Sequence, residues 1–69
     1  MRQKYGKTNT FEVRTLRGGT FVATRNREKA ADVFADICRA FPDQRVYFQV
    51  WNGARMVSEQ IGNNDKAVM

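Results

Sequence analysis

The stretch Arg45–Val57, RVYFQVWNGARMV, decides the fold. Its β-branched and aromatic residues over Arg45–Trp51, the Asn52-Gly53 pair and the short apolar run that follows have the pattern of a strand, a tight turn and a returning strand. Asn-Gly favours the type I′ hairpin turn, in which both central residues take positive φ. A turn at Asn52-Gly53 sets Trp51 opposite Ala54 and Phe48 opposite Val57. Val46, Phe48, Val50 and Val57 then share one face, and Tyr47, Gln49, Trp51 and Met56 share the other. Both faces carry large side chains, so the rest of the chain must show which one is covered.

Working toward the N-terminus, the period changes over residues 26–41. Ala30, Val33, Phe34, Ile37, Cys38 and Phe41 recur at helical spacing and form one apolar stripe, with Arg27, Glu28, Asp32, Asp36 and Arg39 on the opposite side. Asn26 or Thr24 can cap the start, and Phe41-Pro42 ends the helix because the residue before proline avoids the helical region. Upstream of the helix, Thr10–Leu16 and Thr20–Thr24 alternate as strands around Arg17-Gly18-Gly19. A three-residue loop with Gly19 in the left-handed region places Phe11, Val13, Phe21 and Ala23 on one face. Beyond Ser58 the periodicity fades, apart from a possible extension of the strand to Ile61.

The order is therefore ββαββ, an α+β fold with a four-stranded, mainly antiparallel sheet and one helix on one face. Strand order 2-1-3-4 is the simplest closure, and an order with strands 2 and 3 adjacent is the alternative. One helix covers about 10 Å of a sheet whose strands lie about 4.8 Å apart, so one face stays open. The open face is expected to present Glu12, Arg14, Leu16, Val22, Thr24, Tyr47, Gln49, Trp51 and Met56. Residues 10–61 form the domain, between a basic arm at 1–9 and a tail at 62–69.

Sixty-nine residues allow one domain with a small core. A single cysteine precludes an internal disulfide, and the absence of histidine removes the usual zinc-ligand sets. No apolar run resembles a signal peptide or a membrane span, which points to a soluble protein in a reducing, cytoplasmic setting with no membrane partner. The net charge is +5. Residues 1–25 carry Arg2, Lys4, Lys7, Arg14, Arg17 and Arg25 against Glu12 alone, so the whole surplus lies in this part of the chain. That asymmetry suits an acidic partner such as nucleic acid, an anionic protein surface or a membrane headgroup layer, and solubility is the plainer reading of the charge.

Catalysis fits poorly. Asp32 and Asp36 lie one turn apart on a solvated helix face, Cys38 falls in the apolar stripe, and no cofactor or metal site is apparent. Arg17-Gly18-Gly19-Thr20 could form a small anion nest but lacks the context of a phosphate loop, and turn geometry explains its glycines. Tyr47 and Trp51 on an open face beside Arg14, Gln49 and Met56 could stack on unpaired bases, while Arg2, Lys4, Lys7 and Arg17 neutralise phosphates. The expected function is a non-catalytic nucleic-acid-binding module for RNA or DNA. The alternative is an inhibitor or adaptor docking on a larger protein complex, since Trp, Tyr, Arg and Met also mark protein interfaces. A homodimer packed sheet to sheet is a further possibility.

Overall fold

The computed structural model describes residues 9–64. Strands β1 (Asn9–Thr15) and β2 (Gly19–Thr24), helix α1 (Arg27–Ala40), and strands β3 (Val46–Asn52) and β4 (Arg55–Gly62) follow one another along the chain. The sheet is antiparallel with order β2-β1-β3-β4, the α+β architecture expected from the periodicity. β1 begins at Asn9 and β4 runs to Gly62, each one residue beyond the expected domain limits.

The helix starts where local chemistry favours it. Asn26 Oδ1 accepts from the Lys29 backbone N–H at 3.0 Å, and Thr24 Oγ1 accepts from the Asn26 N–H at 3.0 Å. Both candidate caps therefore take part, satisfying backbone donors that the first helical turn leaves without partners. At the other end the Phe41 N–H donates to the Ile37 carbonyl just ahead of Pro42. The apolar stripe lies across β2, β1 and β3. Phe11, Val13, Ala30, Val46 and Phe48 are buried, with Val22, Val33, Phe34, Ile37, Cys38 and Val50 packed around them. Phe34 meets Phe48 edge to face at 5.5 Å between ring centroids.

Two bulges correct the expected registers. In the first hairpin the loop is Leu16-Arg17-Gly18, and Thr15 pairs with Gly19, whose φ is +75°. The left-handed glycine is as expected, but the register shifts between Val13 and Arg14, leaving Phe21 as the extra residue of β2. Val13 then faces Val22, Phe11 faces Thr24, and Ala23 faces Glu12. Directly paired residues share a face. Val22 and Thr24 therefore lie on the helix side rather than the open one, and Ala23 lies opposite its expected side. Phe21 remains on the helix side, its ring 5.9 Å from that of Phe41. Leu16 leaves the strand for the loop tip, where it is 87% exposed.

In the second hairpin Asn52 pairs with Arg55, so the turn residues are Gly53-Ala54. Gly53 has φ +64°, while Ala54 is not among the residues with positive φ. That combination belongs to a type II′ turn, which needs its glycine at the first central position and places no such demand on the second. Trp51 consequently faces Met56 rather than Ala54, and Phe48 faces Gln60 rather than Val57. A bulge between these pairs leaves Val57 unpaired and 56% exposed, outside the core it was expected to join.

Candidate nucleic-acid interface

The register builds the open face row by row. Thr10, Trp51 and Met56 form one row, Ala23, Glu12, Gln49 and Glu59 the next, and Thr20, Arg14, Tyr47 and Ile61 the third. Arg14, Tyr47, Gln49, Trp51 and Met56 are thus brought onto one face, as the alternation along the strands requires. The middle row is dominated by polar contacts. Gln49 Nε2 donates to Glu59 Oε2 at 2.8 Å, Trp51 Nε1 donates to Gln49 Oε1 at 3.2 Å, and Arg14 lies 3.5 Å from Glu12. Gln49 is only 9% exposed although no helix covers this face, because its neighbours in the sheet close over it.

This network changes what the face can do. Glu12 and Glu59 flank Gln49 two strand spacings apart, and Arg14 is the single cation in these rows. A phosphate about 4 Å from either carboxylate meets about 1 kcal/mol of repulsion even at the dielectric constant of water. Toward the β1–β2 loop, Arg14, Leu16, Tyr47, Gln49 and Glu59 line an open cleft of about 450 Å³. Its mixed charge and apolar rim suit a protein side chain better than a polyanion.

The cations gather elsewhere. β1 starts, β2 ends, α1 starts, β3 ends and β4 starts at the same end of the sheet, a consequence of the antiparallel order. That end carries Arg25, Arg27, Lys29 and Arg55, with Glu28 as the one acid among residues 24–29 and 52–55. Among the described residues none of the four cations forms an ion pair; the two ion pairs present are Arg14–Glu12 and Arg39–Asp36. The Arg27 guanidinium lies 5.9 Å above the Phe11 ring, which orients it without neutralising it. The helix N-terminus adds its partial positive charge to the same end. Arg25 follows β2 at one edge of the sheet and Arg55 opens β4 at the other. The strip is thus about three strand spacings, or about 14 Å, wide.

Arg17 stands at the opposite end, on the β1–β2 loop. Arg2, Lys4 and Lys7 lie outside the described residues, but the chain enters β1 at Asn9, which pairs with Asn52 at the basic end. The expected nest residues contribute a turn in which the Gly18 N–H donates to Thr15 Oγ1 at 2.8 Å. Cys38 has its pKa raised by burial, in keeping with a packing role. Among the described residues no cluster of His, Cys, Asp or Glu could hold a metal ion. Among the described residues no helix is long and apolar enough to cross a membrane.

Comparison with known proteins finds no matching family model, no matching curated protein and no matching solved structure. The functional reading therefore rests on this geometry.

Proposed function

We propose that the protein is a non-catalytic nucleic-acid-binding module whose contact surface is the basic end of the sheet. The observation that carries this reading is the convergence of Arg25, Arg27, Lys29 and Arg55, without acidic partners, at the end where the basic N-terminal segment enters the fold. A strip about 14 Å wide spans about four nucleotide rises of 3.4 Å, so four cations can meet about four phosphates. Contacts of this kind set position and affinity and carry little base information.

The test is the salt dependence of binding to duplex and single-stranded oligonucleotides. Replacing Arg25, Lys29 and Arg55 by Gln together should flatten the slope of log affinity against log salt by about 2.7 on duplex. The control pair Arg17→Gln and Arg45→Gln, at the other end, should leave it close to the parent value. Equal losses from both sets would show that net charge, not this end, drives binding.

A second reading is supported by the open sheet face, where Trp51, Tyr47, Met56 and Arg14 surround a Gln49–Glu59 centre. The composition is that of a protein-interface core with satisfied polar groups, and it suits an inhibitor or adaptor docking on a larger complex. Trp51→Ala should abolish capture of such a partner while leaving the salt slope unchanged. If the same substitution instead weakens single-strand binding by about 1–3 kcal/mol, bases stack on this face and the carboxylates do not prevent it.

A further inference from the structure

β4 is the outermost strand opposite β2, and its outer edge has no partner among the described strands. Seven of its eight residues are exposed, whereas Val22 on the other edge strand packs into the core. Of the five large apolar residues that the fold leaves exposed, Met56, Val57 and Ile61 lie on β4. Natural edges are protected by lysines, prolines or a covering element. β4 has no lysine or proline, and its charges are Arg55 at the first position and Glu59.

The far end of the strand is also firmly held. Gly62 sits directly under the helix, where an added Cβ would run into Cys38 Sγ and meet Phe34 Cζ at 2.9 Å. Asn63 Nδ2 donates to the carbonyls of Cys38 and Phe41 at 3.0 and 3.1 Å. Between the bulge at Val57 and this anchor, Ser58–Gly62 is a regular five-residue edge already fixed in strand geometry, so little ordering remains to oppose association.

We infer that Ser58–Gly62 pairs antiparallel with the same segment of a second copy of this chain, about a two-fold axis at Gln60. The segment is self-complementary in this register and in no other. Gln60 faces the partner's Gln60, Ser58 faces the partner's Gly62, and Glu59 faces the partner's Ile61. Each pair joins residues of the same sheet face, as antiparallel pairing requires. An axis at Glu59 would oppose two carboxylates. An axis at Ser58 would run the ladder into the bulge, and one at Ile61 would cut the overlap to three residues. The Gln60 axis uses the whole regular segment, avoids like charges and lays each Ile61 side chain against the stem of the partner's Glu59. The resulting eight-stranded sheet is a different association from face-to-face stacking and leaves both open faces free.

An interface of five paired residues is small, so dimers should form at micromolar concentrations and above. Sedimentation of the full chain under reducing conditions should show its mass rising from 8.0 kDa toward twice that value as concentration approaches about 1 mM. Gln60 is exposed, so charges there are compatible with the fold. Gln60→Lys and Gln60→Glu should each weaken self-association by about fivefold or more, because like charges then meet at the axis. An equimolar mixture of the two should restore a one-to-one heterodimer visible by native mass spectrometry. A mass of 8.0 kDa throughout the range overturns the proposal. So does a doubled mass that neither variant reduces, or a mixture that fails to recover, since either result places the contact elsewhere.

Discussion

Replacing Gly62 by Ala offers a test in which the sign of the effect decides. Gly62 pairs with Val46 on the helix side, and its φ is not in the left-handed region, so the backbone accepts alanine without strain. In an open strand position the substitution would stabilise the protein by about 0.4–1 kcal/mol, since it restricts the unfolded chain. Here the new methyl would run into Cys38 Sγ and stand 2.9 Å from Phe34 Cζ, well inside contact distance. Overpacking of this kind costs about 1–3 kcal/mol, so the net effect should be a loss of about 1–2 kcal/mol. In urea, at about 1 kcal/mol/M for so small a domain, the midpoint should fall by about 1–2 M. Cys38→Ala removes the nearer clash and leaves the one with Phe34. The double variant should therefore lose less than the sum of the single ones, with a coupling of about 0.5–1 kcal/mol. Stabilisation by Gly62→Ala would refute the packing of Gly62 beneath the helix, and with it the anchored end of β4. Strictly additive effects would show that Cys38 does not touch this site.

Phe34→Ala should cost about 3–5 kcal/mol by urea unfolding, because it removes the ring that joins the helix to Phe48. Asn26→Ala should cost about 1 kcal/mol through loss of the cap on the Lys29 N–H, with Asn26→Ser close to neutral. Gly53→Ala should destabilise by about 1–2 kcal/mol through the positive φ alone, since open space surrounds the new methyl, and a D-alanine at that position should not. Burial pushes the Cys38 pKa above the ordinary thiol range, so the folded state favours the neutral thiol. Its contribution to stability is then full below about pH 9 and declines as the pH rises from the unfolded pKa toward the folded one. Cys38→Ala should flatten that part of the stability profile, as read from urea midpoints at pH 8 and above.

Element types and strand order follow from periodicity because each depends on many residues at once. The stripe from Ala30 to Phe41 can be buried by one helix in one orientation, and the Asn26 and Phe41-Pro42 signals bound it from both sides. Strand register depends on single residues, and in both hairpins it departs from simple alternation. Alternation assumes one residue opposite one, whereas bulges at Phe21 and Val57 put two opposite one and reverse the parity beyond them. The Asn52-Gly53 signal marked the turn within one residue. What it could not specify was whether glycine takes the first or the second central position, and that choice distinguishes type II′ from type I′.

The same distinction explains which parts of the surface could be foreseen. Arg14, Tyr47, Gln49, Trp51 and Met56 reached a common face because four of them lie on the unbulged β1–β3 ladder and Met56 precedes the bulge in β4. Glu59 lies where the periodicity fades after Ser58 and carries no signal in the sequence, yet its carboxylate accepts from Gln49 Nε2 and adds a second negative charge to the face. The basic end is implied by the hairpin–helix–hairpin path, since a helix returning along the sheet sends Arg25, Arg27, Lys29 and Arg55 to one end. Counting charge along the chain concealed it: residues 1–25 hold the surplus, but three of the four converging cations lie outside them. Charge here is organised by strand ends, so the proposed phosphate contacts rest on the end of the sheet and not on its aromatic face.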